Sequence, residues 1–153
     1  MDESKNELKQ EANSSESKNI DNTDWFLEML VEMQNGTDGY VGITLNVGGM
    51  LLTGDLISGH KYFEWFADSF TKGVVKGEDS QKIREVLASL GDIYTKDKKV
   101  DKTKPPVYIH IKDAKFFQPG GNDSIPTSEN TWWRGRISAV DGFILGKITV
   151  EKK

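Results

Sequence analysis

The sequence predicts an α+β fold: a small, strongly curved, five-stranded antiparallel sheet or Sm-like/SH3-like barrel, with an N-terminal helix and a two-helix insertion after strand two. Three observations predict it. Residues 41–56 alternate apolar and polar on both sides of Gly48-Gly49, the pattern of a hairpin with one buried face. Residues 59–73 and 80–90 carry apolar groups at helical spacing instead. From residue 107 onward, strand-like alternation returns around turn-forming residues.

Residues 1–21 are rich in Ser, Asn, Glu and Lys, with Leu8 and Ile20 almost the only large apolar groups. Such a segment buries too little surface to offset its ordering entropy, so a disordered acidic tail is expected, followed by a single domain over residues 22–150. Thr23 or Asp24 is placed to cap a helix whose stripe is Trp25, Phe26, Met29, Leu30 and Met33, ended by Asn35-Gly36. In the hairpin that follows, a two-residue turn pairs Val47 with Met50, Leu45 with Leu52, Ile43 with Gly54 and Val41 with Leu56. Directly opposed residues share a face, so this register gathers the apolar groups on one side.

Ser58 is placed to cap a helix with Tyr62, Phe63, Phe66, Ala67 and Phe70 on its stripe. The next helix begins at Asp79 or Ser80 and carries Ile83, Val86, Leu87 and Leu90, closed by Gly91. Residues 95–106 read as a Lys-rich linker stopped by Pro105-Pro106, a solvated run rather than a built anion site. Val107, Ile109 and Ile111 then alternate, and the apolar phase switches to Ala114 and Phe116, which predicts a β-bulge near Lys112-Asp113. Residues 118–130 read as a loop. A last hairpin is expected to turn at Asp141-Gly142, with Trp133, Gly135, Ile137 and Ala139 sharing a face with Ile144, Gly146, Ile148 and Val150. The opposite face then presents Arg134, Arg136 and Lys147 beside Trp132.

The chemistry-bearing residues are sparse. No cysteine is present, which excludes disulfides, zinc–thiolate centres and cysteine nucleophiles. The formal net charge of -4 argues against bulk nucleic acid as the main partner. The N-terminus lacks the apolar core of a secretory signal, and no run approaches the ~18 apolar residues of a membrane span, so a cytoplasmic protein is expected. His60 and His110, the two histidines, lie far apart in sequence, with no nucleophile-elbow serine, and His110 alternates onto the more polar face of its strand. Metal-binding and phosphate-cradling motifs are absent. No catalytic residue, cofactor or metal site is therefore expected. The most unusual stretch is Trp132-Trp133-Arg134-Gly135-Arg136: an exposed Trp beside Arg requires a cover, whether a helix of the same chain, a second subunit or a ligand. Trp132, Arg134, Arg136 and Lys147 form the candidate interaction surface.

An ordered series of short segments adds a resemblance. Ile43-Thr44-Leu45-Asn46-Val47-Gly48-Gly49, Thr53-Gly54-Asp55-Leu56-Ile57-Ser58 and Ile109-His110-Ile111-Lys112-Asp113 belong to it. So do Trp133-Arg134-Gly135-Arg136-Ile137, Val140-Asp141-Gly142-Phe143 and Leu145-Gly146-Lys147-Ile148. Together, over roughly Trp25 to Ile148, the chain resembles the gas vesicle accessory protein GvpU family. The resemblance implies a non-enzymatic, cytoplasmic protein associated with gas vesicles, whose partners are the vesicle shell, other gas vesicle proteins or further copies of itself. A looser similarity, carried by Trp133-Arg134-Gly135 on the penultimate strand, is to Sm-like barrels, and it implies RNA binding as the alternative. The acidic-Asn signature of that family is missing. The acidic tail and Lys-rich run imply that association weakens with salt, because exposed charges are screened within about 8–10 Å.

Overall fold

A computed structural model describes residues 2–18, 22–74, 77–95, 104–121, 123–126 and 130–149. Helix α1 spans Asp2–Lys18, where the sequence led to the expectation of a disordered tail. Its residues 3–11 are exposed, Leu8 among them. Glu, Lys and Gln favour helix locally.

Helix α2 (Trp25–Asn35) is capped by Asp24, whose carboxylate accepts the Phe26 N–H at 2.9 Å and the Leu27 N–H at 3.4 Å. Its buried line is Leu27, Val31 and Gln34, not the expected stripe, and Phe26 and Met33 are exposed. The helix is apolar almost all round, so periodicity alone did not choose the face. Strands β1 (Val41–Val47) and β2 (Met50–Ile57) form the expected hairpin in the expected register. Gly48 and Gly49 take φ of +61° and +86°, the left-handed pair that a tight hairpin turn requires.

After β2 come α3 (Gly59–Val74) and α4 (Ser80–Ser89), with a 3-10 turn at Leu90–Tyr94. Ser58 Oγ accepts the Lys61 N–H at 3.1 Å and so caps α3. Tyr62 and Ala67 of the expected stripe are buried, while Phe70 at its end is exposed. The Lys-rich run lies outside the described residues except for its ends.

Strands β3 (Tyr108–Phe117), β4 (Ser124–Ile125), β5 (Trp133–Arg136) and β6 (Gly142–Leu145) complete an antiparallel sheet. The order is β4-β3-β2-β1-β6, with β5 also pairing β3. Two expectations are corrected here. The sheet has six strands rather than five, because β4 forms inside the expected loop, and it is open rather than closed into a barrel. The last two long strands also do not pair with each other. β5 pairs with β3, with Ile109 opposite Gly135, and β6 pairs with β1, with Leu45 opposite Phe143.

The reason lies in residues 137–141. Ile137 and Val140 enter the core through a 3-10 turn, Ile137–Ala139. The Ile137 N–H donates to the Val107 carbonyl at 2.9 Å, and the Asp141 N–H donates to the Asn46 carbonyl at 2.8 Å. Asp141 Oδ2 accepts the Gly48 N–H at 3.1 Å, so this aspartate supports the β1–β2 turn instead of making its own. Burial overrode a favourable turn dipeptide. A 3-10 turn rises only ~2 Å per residue, whereas crossing four strand spacings of a flat sheet requires ~19 Å. The short connection therefore forces the two ends of the sheet to curl toward each other.

The bulge in β3 is where the apolar phase predicted it. Thr53 pairs with Lys115 and Asp55 with Lys112, so β3 carries one extra residue, and Asp113 sits there at φ +51°. The slip returns Ala114 to the core face beside Ile109 and Ile111 and sends its N–H to the Thr131 carbonyl at 2.7 Å. Gly54 lies opposite. A Cβ there would stand 2.4 Å from the Ile111 side chain and 2.7 Å from the Lys112 carbonyl oxygen, so only glycine fits.

The core joins Leu27 and Val31 of α2 to Ile43, Leu45, Leu52, Leu56, Ile109, Ile111, Ile137 and Val140. Helix α3 covers the β3 end of the other sheet face, giving three layers. The choice of α2 face is testable. Leu27→Ala is expected to cost about 2–5 kcal/mol and Phe26→Ala less than about 1 kcal/mol in urea unfolding. The reverse order would restore the stripe expected from the sequence.

Candidate functional site

Pairing β5 with β3 fixes where the Trp/Arg segment points. Trp133 and Gly135 lie opposite Ile111 and Ile109, on the core face, and Arg134 and Arg136 lie opposite His110 and Tyr108, on the other. The Trp133 indole folds over Gly135, where an added Cβ would come within 2.0 Å of the ring. It also meets Phe116 edge-on at 6.3 Å.

Arg134 is turned inward. Its guanidinium lies 3.7 Å from the Tyr108 ring centroid and 5.3 Å from that of Phe63. Nη1 donates to the Tyr94 hydroxyl at 3.1 Å and meets His110 Nε2 at 2.6 Å. Arg134 makes no ion pair with another described residue, so rings, a phenol and an imidazole hold the charge. A guanidinium only donates, so His110 Nε2 accepts and the imidazole is neutral with its proton on Nδ1.

His110, expected on a polar face, is fully buried. Its face of the sheet is covered by α3 and the 3-10 turn: Tyr62 lies 4.9 Å away, Tyr94 5.3 Å and Phe63 6.2 Å, ring centre to ring centre. Burial, with the Arg134 charge adding to it, pulls its pKa from 6.5 down to about 3. Burial likewise raises the Tyr62 phenol, and Arg134 partly offsets the rise. Gly59 admits the Tyr94 ring, since a Cβ there would stand 2.4 Å from it.

Trp132 finds its cover in the same chain. It stacks on Trp65 of α3 at 4.8 Å and 6° between planes, with Lys112 Nζ 5.7 Å from the ring centroid. Arg136 is exposed. Lys147 lies on the same face of the sheet as Arg134 but farther across it, its Nζ 3.0 Å from Asp55 Oδ1 in an ion pair too bent to count as a hydrogen bond. Gly42 leaves room for the Lys147 stem, 3.2 Å from where a Cβ would be. Residues 146–148 cross the outer face there: Thr44 Oγ1 donates to the Gly146 carbonyl at 2.8 Å, and the Ile148 N–H donates to Thr53 Oγ1 at 2.9 Å. The four candidate residues thus occupy three places. Trp132 lies against α3, Arg134 and Arg136 lie along β5, and Lys147 lies over β1 and β2.

Sequence reasoning missed Tyr94, Tyr108 and Asp55. The first two flank the Lys-rich run: the β3–β5 pairing brings Tyr108 to Arg134, and the 3-10 turn over the sheet brings Tyr94. That pairing also borders a cleft of ≈ 840 Å³, walled by Tyr94, Tyr108, Val107, Pro105 and Arg134 among others. Among the described residues, no group of three or more His, Asp or Glu is placed to hold a metal ion. His60 is a partly exposed side chain 3.2 Å from Glu64 of its own helix.

The depressed pKa of His110 makes a sign-definite prediction. The unfolded chain takes up a proton near pH 6.5 that the folded chain refuses until about pH 3, so stability rises with pH through that window. Moving from pH 7 to pH 5 is expected to remove about 2 kcal/mol through this group. The His110→Gln variant is expected to lose that part of the slope in urea titrations at the two pH values. An unchanged slope would mean that His110 is not the group concerned.

Comparison with known proteins finds one family model, described as Gas vesicle protein GvpU-like, that matches residues 24–148. No curated protein and no solved structure matches the chain. The matched span runs from the Asp24 cap of α2 through β6 and includes β3, β5 and the Arg134 pocket. The chain belongs to the GvpU-like family of gas vesicle proteins.

Proposed function

We propose that this protein is a non-enzymatic gas vesicle accessory factor that docks on the vesicle shell or on further copies of itself, supporting vesicle formation or clustering. The observation that carries the reading is the β6 edge. Ile144 and Leu145 on this terminal strand are 62% and 68% exposed, and Val41 of the neighbouring strand β1 and Phe26 of α2 are exposed as well. Phe26 and Phe143 join α2 to the same strip, 5.8 Å apart. An uncovered edge strand with apolar side chains on both faces is a template for pairing with another protein. No Lys or Pro interrupts Gly142–Leu145 to blunt it.

Family membership supports the vesicle as the setting. Charge contributes through Arg136 and Lys147, which are both exposed, Lys147 also pairing with Asp55, while Arg134 is turned inward onto His110. The Sm-like reading gains no support, since Trp132 is stacked on Trp65 and Arg134 is turned inward. His110 is a poor candidate for a general base, because a group with a pKa of about 3 is too weakly basic to take up a proton near neutrality.

Flotation tests the reading. Purified protein mixed with intact gas vesicles and centrifuged is expected to rise with the buoyant layer and to stay there at high salt, because the edge contact is apolar. Ile144→Asp with Leu145→Asp is expected to reduce the buoyant fraction at least tenfold, and Arg136→Ala to reduce it only at low salt. Protein that stays below at both salts, and sediments as a monomer without vesicles, would overturn both docking modes.

A further inference from the structure

The ≈ 840 Å³ cleft next to Arg134 is separate from the β6 edge and has a composition of its own. Its volume lies within the roughly 300–1,000 Å³ of small-ligand sites. Ile93, Pro105 and Val107 give it apolar walls, and Ile93 and Val107 are 56% and 60% exposed toward solvent. One guanidinium enters this wall. Arg134 uses Nη1 on Tyr94 and His110, while its Nε and Nη2 hydrogens have no acceptor among the described residues. The stack on Tyr108 and the two Nη1 contacts hold the guanidinium plane in one orientation. A fixed fork of unassigned N–H donors beside an apolar cavity matches the two oxygens of a carboxylate.

The charge of the lining sets the valence of the ligand. Arg134 and Lys104 contribute +2 and Glu32 contributes −1, leaving +1 for the described lining with Tyr94 and Tyr108 neutral. We propose that this cleft binds a monocarboxylate on an apolar body, with its two oxygens on the free edge of Arg134 and its body against Pro105 and Val107. The same chemistry is offered by a free organic acid and by a single acidic side chain in an apolar peptide.

Titration of ¹⁵N-labelled full-length protein with 4-phenylbutyrate, followed through the amide and arginine Nε signals, tests the site. The expected result is shifts at Arg134, Tyr108 and Val107, with 4-phenylbutan-1-ol, equal in shape and uncharged, binding at least tenfold more weakly. Val107→Glu places a carboxylate on an exposed wall position and is expected to abolish binding while leaving the spectrum folded. Arg134→Lys keeps the charge without the fork and is expected to weaken the acid at least tenfold and the alcohol not at all. A blocked tetrapeptide of Leu, Phe and one Glu distinguishes the source: tighter binding than phenylbutyrate points to a protein ligand, weaker binding to a free acid. The proposal is overturned if acid and alcohol bind equally, if shifts scatter away from the cleft, or if neither acid nor peptide moves the Arg134 signal.

Discussion

A guanidinium taken partly out of water without a carboxylate needs other groups to hold it, because desolvating a charge is costly. Arg134 meets this requirement by drawing on four elements at once. β3 contributes His110 and the Tyr108 ring, α3 contributes Phe63, the 3-10 turn after α4 contributes the Tyr94 hydroxyl, and β5 carries the arginine itself. Each contact alone is modest, on the order of 0.5–2 kcal/mol for a cation over a ring. Together they fix how the helical insertion sits on the sheet. They also determine the state of His110, which has to accept from Arg134 and so stays neutral in a fully buried, largely aromatic surround.

Much of the fold was legible because local and tertiary preferences agreed. The β1–β2 register followed from Gly48-Gly49 and the alternation together, and the β3 bulge followed from a phase slip with no other explanation. What was not legible involved a conflict or a degeneracy. Asp141-Gly142 is a strong turn signal, yet Ile137 and Val140 bury more apolar surface by crossing to the opposite edge of the sheet, and Asp141 serves the neighbouring hairpin. Helix α2 is apolar on nearly every side, so its sequence did not distinguish the Leu27–Val31 face from the Phe26–Met33 face. The two-residue β4 is too short to leave a pattern.

The candidate site was legible in residue type more than in arrangement. The sequence showed that Trp132 needed a cover and that Arg134 and Arg136 shared a face, and the structure supplies Trp65 as the cover. It did not show that Arg134 and Arg136 differ, one held among rings and the other exposed, because the helix responsible lies some seventy residues earlier in the chain. The division matters for function. The exposed apolar strip at β6 is suited to docking a protein surface, while the cleft beside Arg134 is suited to a small or single charged group. Both lie within the span matched by the GvpU-like family, on opposite regions of one curled sheet.

The claim on which this account turns is that Arg134 donates to a neutral His110. Long-range ¹H–¹⁵N correlation on the imidazole at pH 7 reads the tautomer directly. A proton on Nδ1, with Nε2 at the shift of an acceptor nitrogen and no change down to about pH 4, is the predicted result. A proton on Nε2, or an imidazolium appearing near pH 6, would mean that the guanidinium does not sit on this ring, and the Arg134-centred arrangement would have to be abandoned.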